Sequence, residues 1–363
     1  LADNWDPSIG PCQLPFATSS SATLDLEANQ NIEAAYLYWS GIGDGTLQPT
    51  INLNNSNISS DQLLVVDSEQ TGFFFYFGAV SEITQLVENT GNGLYSITNF
   101  DLNPLLSFYC SSAIQYAGWS MIVVYSDSSL SSRQVSIYDG LVSLIATSSN
   151  NDNSTEELEI SNFEINNTGN RKFGVCVYNG SPNFFAGESL QFNNNILSNP
   201  PLNPPNNPFN GTNSYTGAND LYNMDLDLFD VSPFLDVGDT SATITFESAY
   251  LRVLQNAVLS VPSELPEPTV SISPNQNVFC ESENITATVE VLNTNATAPL
   301  PAATPVDVFY EDDNGDLVLL QSFSTTNPIP IDGSTSFPLN FPIPADASIP
   351  LQITAKVNEL SDG

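Results

Sequence analysis

Six aspartates fall between residues 220 and 239: Asp220, Asp225, Asp227, Asp230, Asp236 and Asp239. Carboxylates at this density suggest two chemistries. Hard cations take carboxylate and carbonyl oxygens, so the segment Asp220-Leu-Tyr-Asn-Met-Asp-Leu-Asp-Leu-Phe-Asp230 is a candidate calcium site through Asp220, Asp225, Asp227 and Asp230. Asp44 in Gly43-Asp-Gly45 is a second candidate, and Asp312 and Asp316 in Asp312-Asp-Asn-Gly-Asp316 are a third. The last lacks the distal Glu of a calcium loop, and its Asn-Gly pair reads better as a hairpin turn. The other chemistry is glycoside hydrolysis, which needs only two carboxylates. In a chain with 41 Asp plus Glu, pairs of acids arise without selection. A protonated acid at neutral pH also needs an apolar pocket that spacing does not reveal.

Other chemistries are excluded by composition. The chain has no His, which removes Ser-His-Asp and Cys-His catalysis. Gly41-Ile-Gly-Asp-Gly45 lacks the Lys and the following helix of a phosphate-binding loop. Cys12, Cys110, Cys176 and Cys280 are too widely spaced for a zinc knuckle or a redox pair. They are disulfide candidates with three possible connectivities, buried free thiols being the alternative. Only 5 Lys plus Arg stand against the 41 acids, a formal charge of −36. Such a surface repels nucleic acid and anionic lipid, and it favours screening by salt or divalent cations. Arg133 and Arg252 each lie in a strand with alternate apolar neighbours, which leads us to expect a structural ion pair for each.

These residues must be positioned by strands. Hydrophobic residues make up 41% of the chain, with 21 Phe and 13 Tyr, which marks a folded protein with an acidic surface. Trp119-Ser-Met-Ile-Val-Val-Tyr125 is apolar on both sides of a period-2 pattern and reads as a central strand. Arg133-Gln-Val-Ser-Ile-Tyr138 alternates, as a strand buried on one side. We expect a hairpin from these two, with Tyr138-Asp-Gly140 turning the chain at its end. Ile32–Ser40 and Ser241–Leu254 are the expected neighbours in one large sheet. Trp39 and Trp119 are expected in the core; an exposed Trp face, with Trp5 the third to check, would instead suit a binding module. A short helix is expected over Val80–Glu88 and a further turn near 101–106. Ser198–Asn213, rich in Pro and Asn, is expected to be a long surface loop.

Pro262-Ser-Glu-Leu-Pro-Glu-Pro268 is a stiff linker. It divides a large β-sandwich, residues 1–261, from a small one, residues 269–363. No apolar run is long enough to span a bilayer. The start at Leu1 and the end at Gly363, just after a strand, suggest a processed N-terminus and a continuing chain.

Three motifs carry a family resemblance: Ala35-Tyr-Leu-Tyr-Trp39, Ala117-Gly-Trp-Ser120 leading into Val123-Val-Tyr125, and Arg133-x-Val-x-Ile-Tyr-Asp-Gly140. In this order they resemble the N-terminal β-rich module of very large Bacteroidota surface proteins, exported by the type IX system and including gliding-motility adhesins. Val278-Phe-Cys280, Ile285-Thr-Ala-Thr-Val-Glu-Val-Leu-Asn293, Pro299-Leu-Pro301, Thr304-Pro-Val306 and Ile353-Thr-Ala-Lys-Val357 resemble the immunoglobulin-like repeats that follow such modules. Those repeats often carry a second Cys, and only Cys280 is present here. The resemblance implies an all-β chain: a large antiparallel, jelly-roll-like β-sandwich followed by an immunoglobulin-like one. It implies a non-enzymatic building block of an extracellular fibre or appendage, used in adhesion, gliding or prey capture. Its partners would be other copies of itself, as a homo-oligomer or fibre, or other surface proteins. The alternative is a carbohydrate- or matrix-binding module that takes glycans, and a more distant one is a glycoside hydrolase. No nucleic acid or membrane insertion is expected, and calcium is the one cofactor considered.

Overall fold

In the computed structural model, residues 19–43, 50–67, 75–98, 100, 116–144, 153–183, 185–221, 223–276, 278–279, 284–294 and 296–357 are described. The fold is all-β, and the chain separates into two units, Leu1–Pro262 and Ser263–Gly363. The expected turn near 101–106 lies outside the described residues, as do Asp44, Trp5, Cys12, Cys110 and Cys280.

Among the described residues the first unit contains four antiparallel sheets of four strands each. One has β1 (Ser20–Leu24), β7 (Gly93–Thr98), β3 (Thr50–Leu53) and β4 (Ser56–Ser59) in that order. The next runs β5 (Gln62–Asp67), β6 (Phe75–Glu82), β2 (Asn31–Gly43) and β8 (Ala117–Ser126). The third is β14 (Met224–Asp230), β11 (Lys172–Tyr178), β16 (Arg252–Pro262) and β9 (Arg133–Leu144). The fourth is β10 (Ser154–Ile160), β15 (Ala242–Ser248), β12 (Ser189–Phe192) and β13 (Asn195–Ile196). Among the described residues one α-helix, α1 (Thr84–Thr90), follows β6 and starts four residues later than the periodicity suggests.

Three cores stack these sheets as layers. Leu37, Trp39 and Ala79 pack against Ile51, Leu53 and Tyr95 between the first and second sheets. Phe173, Val175 and Val177 pack against Phe192, Ile244 and Phe246 between the third and fourth. Between these two sandwiches Ile42, Tyr76 and Ala117 meet Cys176, Tyr178 and Val253. This middle interface is also hydrogen-bonded. Gln255 Nε2 donates to the carbonyls of Trp39 (3.1 Å) and Ala79 (3.0 Å). The Tyr178 hydroxyl donates to Gln255 Oε1 at 2.9 Å, and the Tyr38 hydroxyl donates to Asp139 at 2.5 Å. Gly118 permits the close approach, since a Cβ there would lie 2.8 Å from the Tyr178 ring.

The layering corrects the expected hairpin. β8 pairs with β2 in the second sheet, whereas β9 pairs with β16 in the third, so the polar turn between them carries the chain across two layers. β8 is apolar on both faces because a sheet lies on each side of it; within its own sheet it stands at the edge. Trp39 is wholly buried and Trp119 half-buried. Tyr138-Asp-Gly140 does not turn the chain. β9 runs through it to Leu144, with a bulge where Gly140 and Leu141 of β9 stand opposite the single Gln255 of β16. Ser241–Leu254 is not one strand either: β15 ends at Ser248 in the fourth sheet and β16 begins at Arg252 in the third.

The second unit is a smaller sandwich. One sheet holds β17 (Pro268–Pro274), β18 (Asn284–Asn293) and β21 (Ser334–Pro342); the other holds β20 (Leu317–Ser324), β19 (Pro305–Glu311) and β22 (Ile353–Val357). Val289, Val291, Val306, Val308 and Leu339 form its core. β19 and β20 pair antiparallel about the Asp312–Asp316 turn.

Candidate functional site

The most unusual chemistry lies where three connections of the second sandwich meet: 179–188 after β11, 199–223 before β14 and 249–251 between β15 and β16. β14 alternates, with Met224 and Leu226 facing the second sheet and Asp225, Asp227 and Phe229 facing the fourth. Its acids therefore point inward, and Asp225 and Asp227 are 0% and 1% exposed.

The proline-rich connection accounts for this burial. Rather than a free surface loop, 199–223 is strapped along the outer edge of β14: Leu226 N–H donates to the Thr212 carbonyl at 3.0 Å, and Ser214 N–H to the Leu226 carbonyl at 2.9 Å. Phe209 is sunk into the core. The carboxylates hold the strap in place. Asp225 Oδ1 accepts the backbone N–H groups of Gly211 (2.7 Å) and Thr212 (3.1 Å). Asp227 Oδ1 accepts the hydroxyls of Ser214 (2.9 Å) and Thr212 (3.3 Å). Asn203, wholly buried, donates from Nδ2 to Thr212 Oγ1 at 2.9 Å and to the Pro208 carbonyl at 3.2 Å. Asx-type bonds suit Asn, Ser and Thr to this work, and the prolines hold the intervening backbone extended.

Beside the strap, Arg252 and Glu188 form a buried ion pair. Arg252 Nη1 also donates to the carbonyls of Asn179 and Leu251, both at 2.7 Å. Asn179 takes a left-handed conformation (φ 67°), which turns the chain out of β11 and aims that carbonyl inward.

Arg252 thus pairs with Glu188 and attracts Asp225, and each of the three buried carboxylates keeps one oxygen without a hydrogen bond: Asp225 Oδ2, Asp227 Oδ2 and Glu188 Oε2. Desolvation drives their titration. Burial pushes Glu188 up to about 7, against the pull of Arg252. Burial pushes Asp227 up to about 6, with Ser214, Asn203 and Thr212 opposing it. Asp225 is held well above the usual carboxylate range by burial first and then by the Asp227 charge. Such shifts arise at functional sites and in structural ion-pair networks alike. These acids are too enclosed to touch a sugar, so the network can hold the strap and take up protons or a cation.

The remaining predicted residues are scattered. Asp220 is exposed, and Asp230, also exposed, accepts from the Ser232 hydroxyl at 2.5 Å and lies 3.7 Å from Lys172. Asp312 Oδ1 accepts N–H groups from Asn314 and Asp316, both at 2.9 Å, closing an exposed turn. Among the described residues no three His, Cys, Asp or Glu side chains converge as a metal cluster. Cys176 is a buried free thiol, not a disulfide partner, and burial pushes it up to about 12. Arg133 is corrected as well. It is exposed, no carboxylate pairs with it among the described residues, and it donates to the Ser260 hydroxyl (2.7 Å) and to the carbonyls of Asn170 and Ser260 (both 2.8 Å). Replacing it by Met is therefore expected to cost no more than about 1 kcal/mol in urea unfolding; a loss near that of a broken buried pair would disprove this assignment. Glu188, Asn203, Thr212 and Ser214 are the site residues that sequence reasoning missed. The one available signal was two acids alternating with Met, Leu and Phe in a single strand.

No protein-family model matches this chain, and no curated protein does. Solved structures similar to it include β-glucuronidase 2 of Bacteroides uniformis, at 13% identity and a TM-score of 0.19, over 58% of this chain and 28% of that one. A protein of Bacteroides fragilis described as a putative β-galactosidase aligns at 11% identity and TM-score 0.18, over 60% and 36%. A glycosyl hydrolase family 2 member from Bacteroides cellulosilyticus aligns at 11% and 0.17, over 58% and 27%. The chain thus spans well under half the length of each. At these values no residue role or substrate carries over. The expected non-enzymatic building block of a surface fibre is corrected: these solved structures are glycoside hydrolases, and nothing supports the expectation that the chain is not an enzyme. No described helix is long and apolar enough to cross a membrane.

Proposed function

We propose that this chain is an extracellular glycan-binding β-sandwich module whose contact surface is the strapped 199–223 connection. The observation that carries this reading is Tyr215, 63% exposed on a strap whose backbone is fixed on both sides of it. Asn213 Oδ1 accepts the N–H groups of Tyr215 (2.9 Å) and Thr216 (3.2 Å), and the Tyr215 hydroxyl end rests against Gly174. With its hydroxyl end seated, a pre-positioned tyrosine offers its ring face at low entropic cost, and the exposed Thr216 and Asn219 beside it supply adaptable hydrogen bonds. The charge of −36 favours neutral glycans over uronic acids or sulfated chains. The extracellular setting rests on the sequence resemblance to Bacteroidota surface proteins.

A panel of immobilised neutral and acidic polysaccharides tests the reading. Retention by at least one neutral glycan is expected, with Tyr215→Ala weakening it tenfold or more and shifting stability by about 1 kcal/mol at most. Binding confined to acidic glycans, or unaffected by Tyr215→Ala, would refute it.

A further inference from the structure

The bare carboxylate oxygens beneath the strap ask for a positive partner. Asp225 and Asp227 lie two residues apart on one strand, so both side chains leave the same face. Thr212 ties them together, giving its N–H to Asp225 and its hydroxyl to Asp227. In each carboxylate the strap occupies Oδ1 and leaves Oδ2 buried without a hydrogen bond. Two wholly buried side chains with the same bare oxygen are costly unless charge is neutralised there. Asp225 Oδ2 packs directly on the backbone at residue 180. A Cβ on residue 180 would stand 1.8 Å from Asp225 Oδ2 and 3.1 Å from the Phe209 carbonyl carbon, so only glycine fits. Arg252 is committed to Glu188 and to the carbonyls of Asn179 and Leu251. Carbonyl and hydroxyl oxygens of the strap are the neutral donors that hard cations accept alongside carboxylates.

We infer that Asp225 and Asp227 form a binding site for a divalent cation of the calcium class that locks the 199–223 strap onto β14. The two carboxylates would be completed by neutral oxygens of the strap, a composition calcium accepts and zinc does not favour. Entry requires the strap to lift, so binding is slow and coupled to closing of the strap. The site stands independently of glycan recognition: a chain that binds calcium and no sugar would retain this inference and lose the other.

The whole chain, stripped by chelation and desalted at pH 7.5, is titrated with calcium chloride and, separately, with magnesium chloride. One calcium-specific binding event is expected, with a rise in melting temperature of roughly 5 °C or more at one hundred times the dissociation constant. Cleavage between residues 199 and 223 by an added protease should slow at least tenfold in calcium. Asp225→Asn/Asp227→Asn should lose all three responses, while Asp312→Asn/Asp316→Asn, on the exposed turn, should keep them. If the buried double variant fails to fold, the calcium dependence of cleavage in the parent still decides. Unchanged melting and cleavage in the stripped parent would overturn the inference and leave protons as the charge balance. Equal stabilisation of parent and buried variant would overturn it too, by assigning calcium to the acidic surface.

Discussion

Arg252→Met is expected to destabilise the first unit by about 3–5 kcal/mol at pH 8, the range for removing one partner of a buried ion pair. The guanidinium is 2% exposed, the Glu188 carboxylate 0%, and no water can replace the lost charge. Two carbonyls, Asn179 and Leu251, lose their donor in the same step. The pH dependence follows from Glu188. Burial raises its folded-state value to about 7, above the ordinary 4.5, so between these two values the folded chain holds a proton that the unfolded chain has released. Stability associated with this group is therefore complete below about pH 4.5 and declines as pH rises through about 7. Without Arg252 the folded-state value moves higher still. The penalty of Arg252→Met should accordingly be clearly smaller at pH 5 than at pH 8, and Arg252→Met/Glu188→Gln should recover part of it. Urea unfolding at the two pH values measures both, and an equal penalty at each would show that Glu188 is not the charge left behind.

Trp39→Ala should cost a similar amount, about 3–5 kcal/mol, by a different route. Trp39 is wholly buried in β2 among Leu37, Ile51, Phe77 and Tyr95, opposite Trp119 on β8. Truncation leaves a cavity that two flanking sheets cannot collapse to fill. Its indole N–H has no hydrogen-bond partner, so Trp39→Phe forfeits no bond and should cost less than half as much. Unfolding midpoints of the two variants decide it. Comparable losses would mean that the indole N–H, rather than ring volume, stabilises the layer.

Much of this architecture is legible in the residues. The all-β fold follows from period-2 patterning, and the Asp312–Asp316 turn follows from Asn-Gly. Inner β-sheets explain the errors. Trp119–Tyr125 and Arg133–Tyr138 are adjacent, strand-like and joined by a polar turn, and local pattern favours pairing them. Their actual partners, β2 and β16, are set by which faces can be buried between four layers, a long-range condition invisible to a short window. The same limit hid the break at Ala249–Leu251 inside Ser241–Leu254, because both halves are apolar and β-prone.

The candidate site divides in the same way. Sequence determined that the chain is all-β, acidic and without His, for which composition and period suffice; the structure put Asp225 and Asp227 on one face of a strand. The tertiary structure alone decided that this face points inward, that the proline-rich connection seals it, and that Glu188, distant in sequence, meets Arg252 there. An alternating strand has two faces of equal standing until something packs on one of them. The direction of packing decides whether an aspartate is a solvated charge or a buried one.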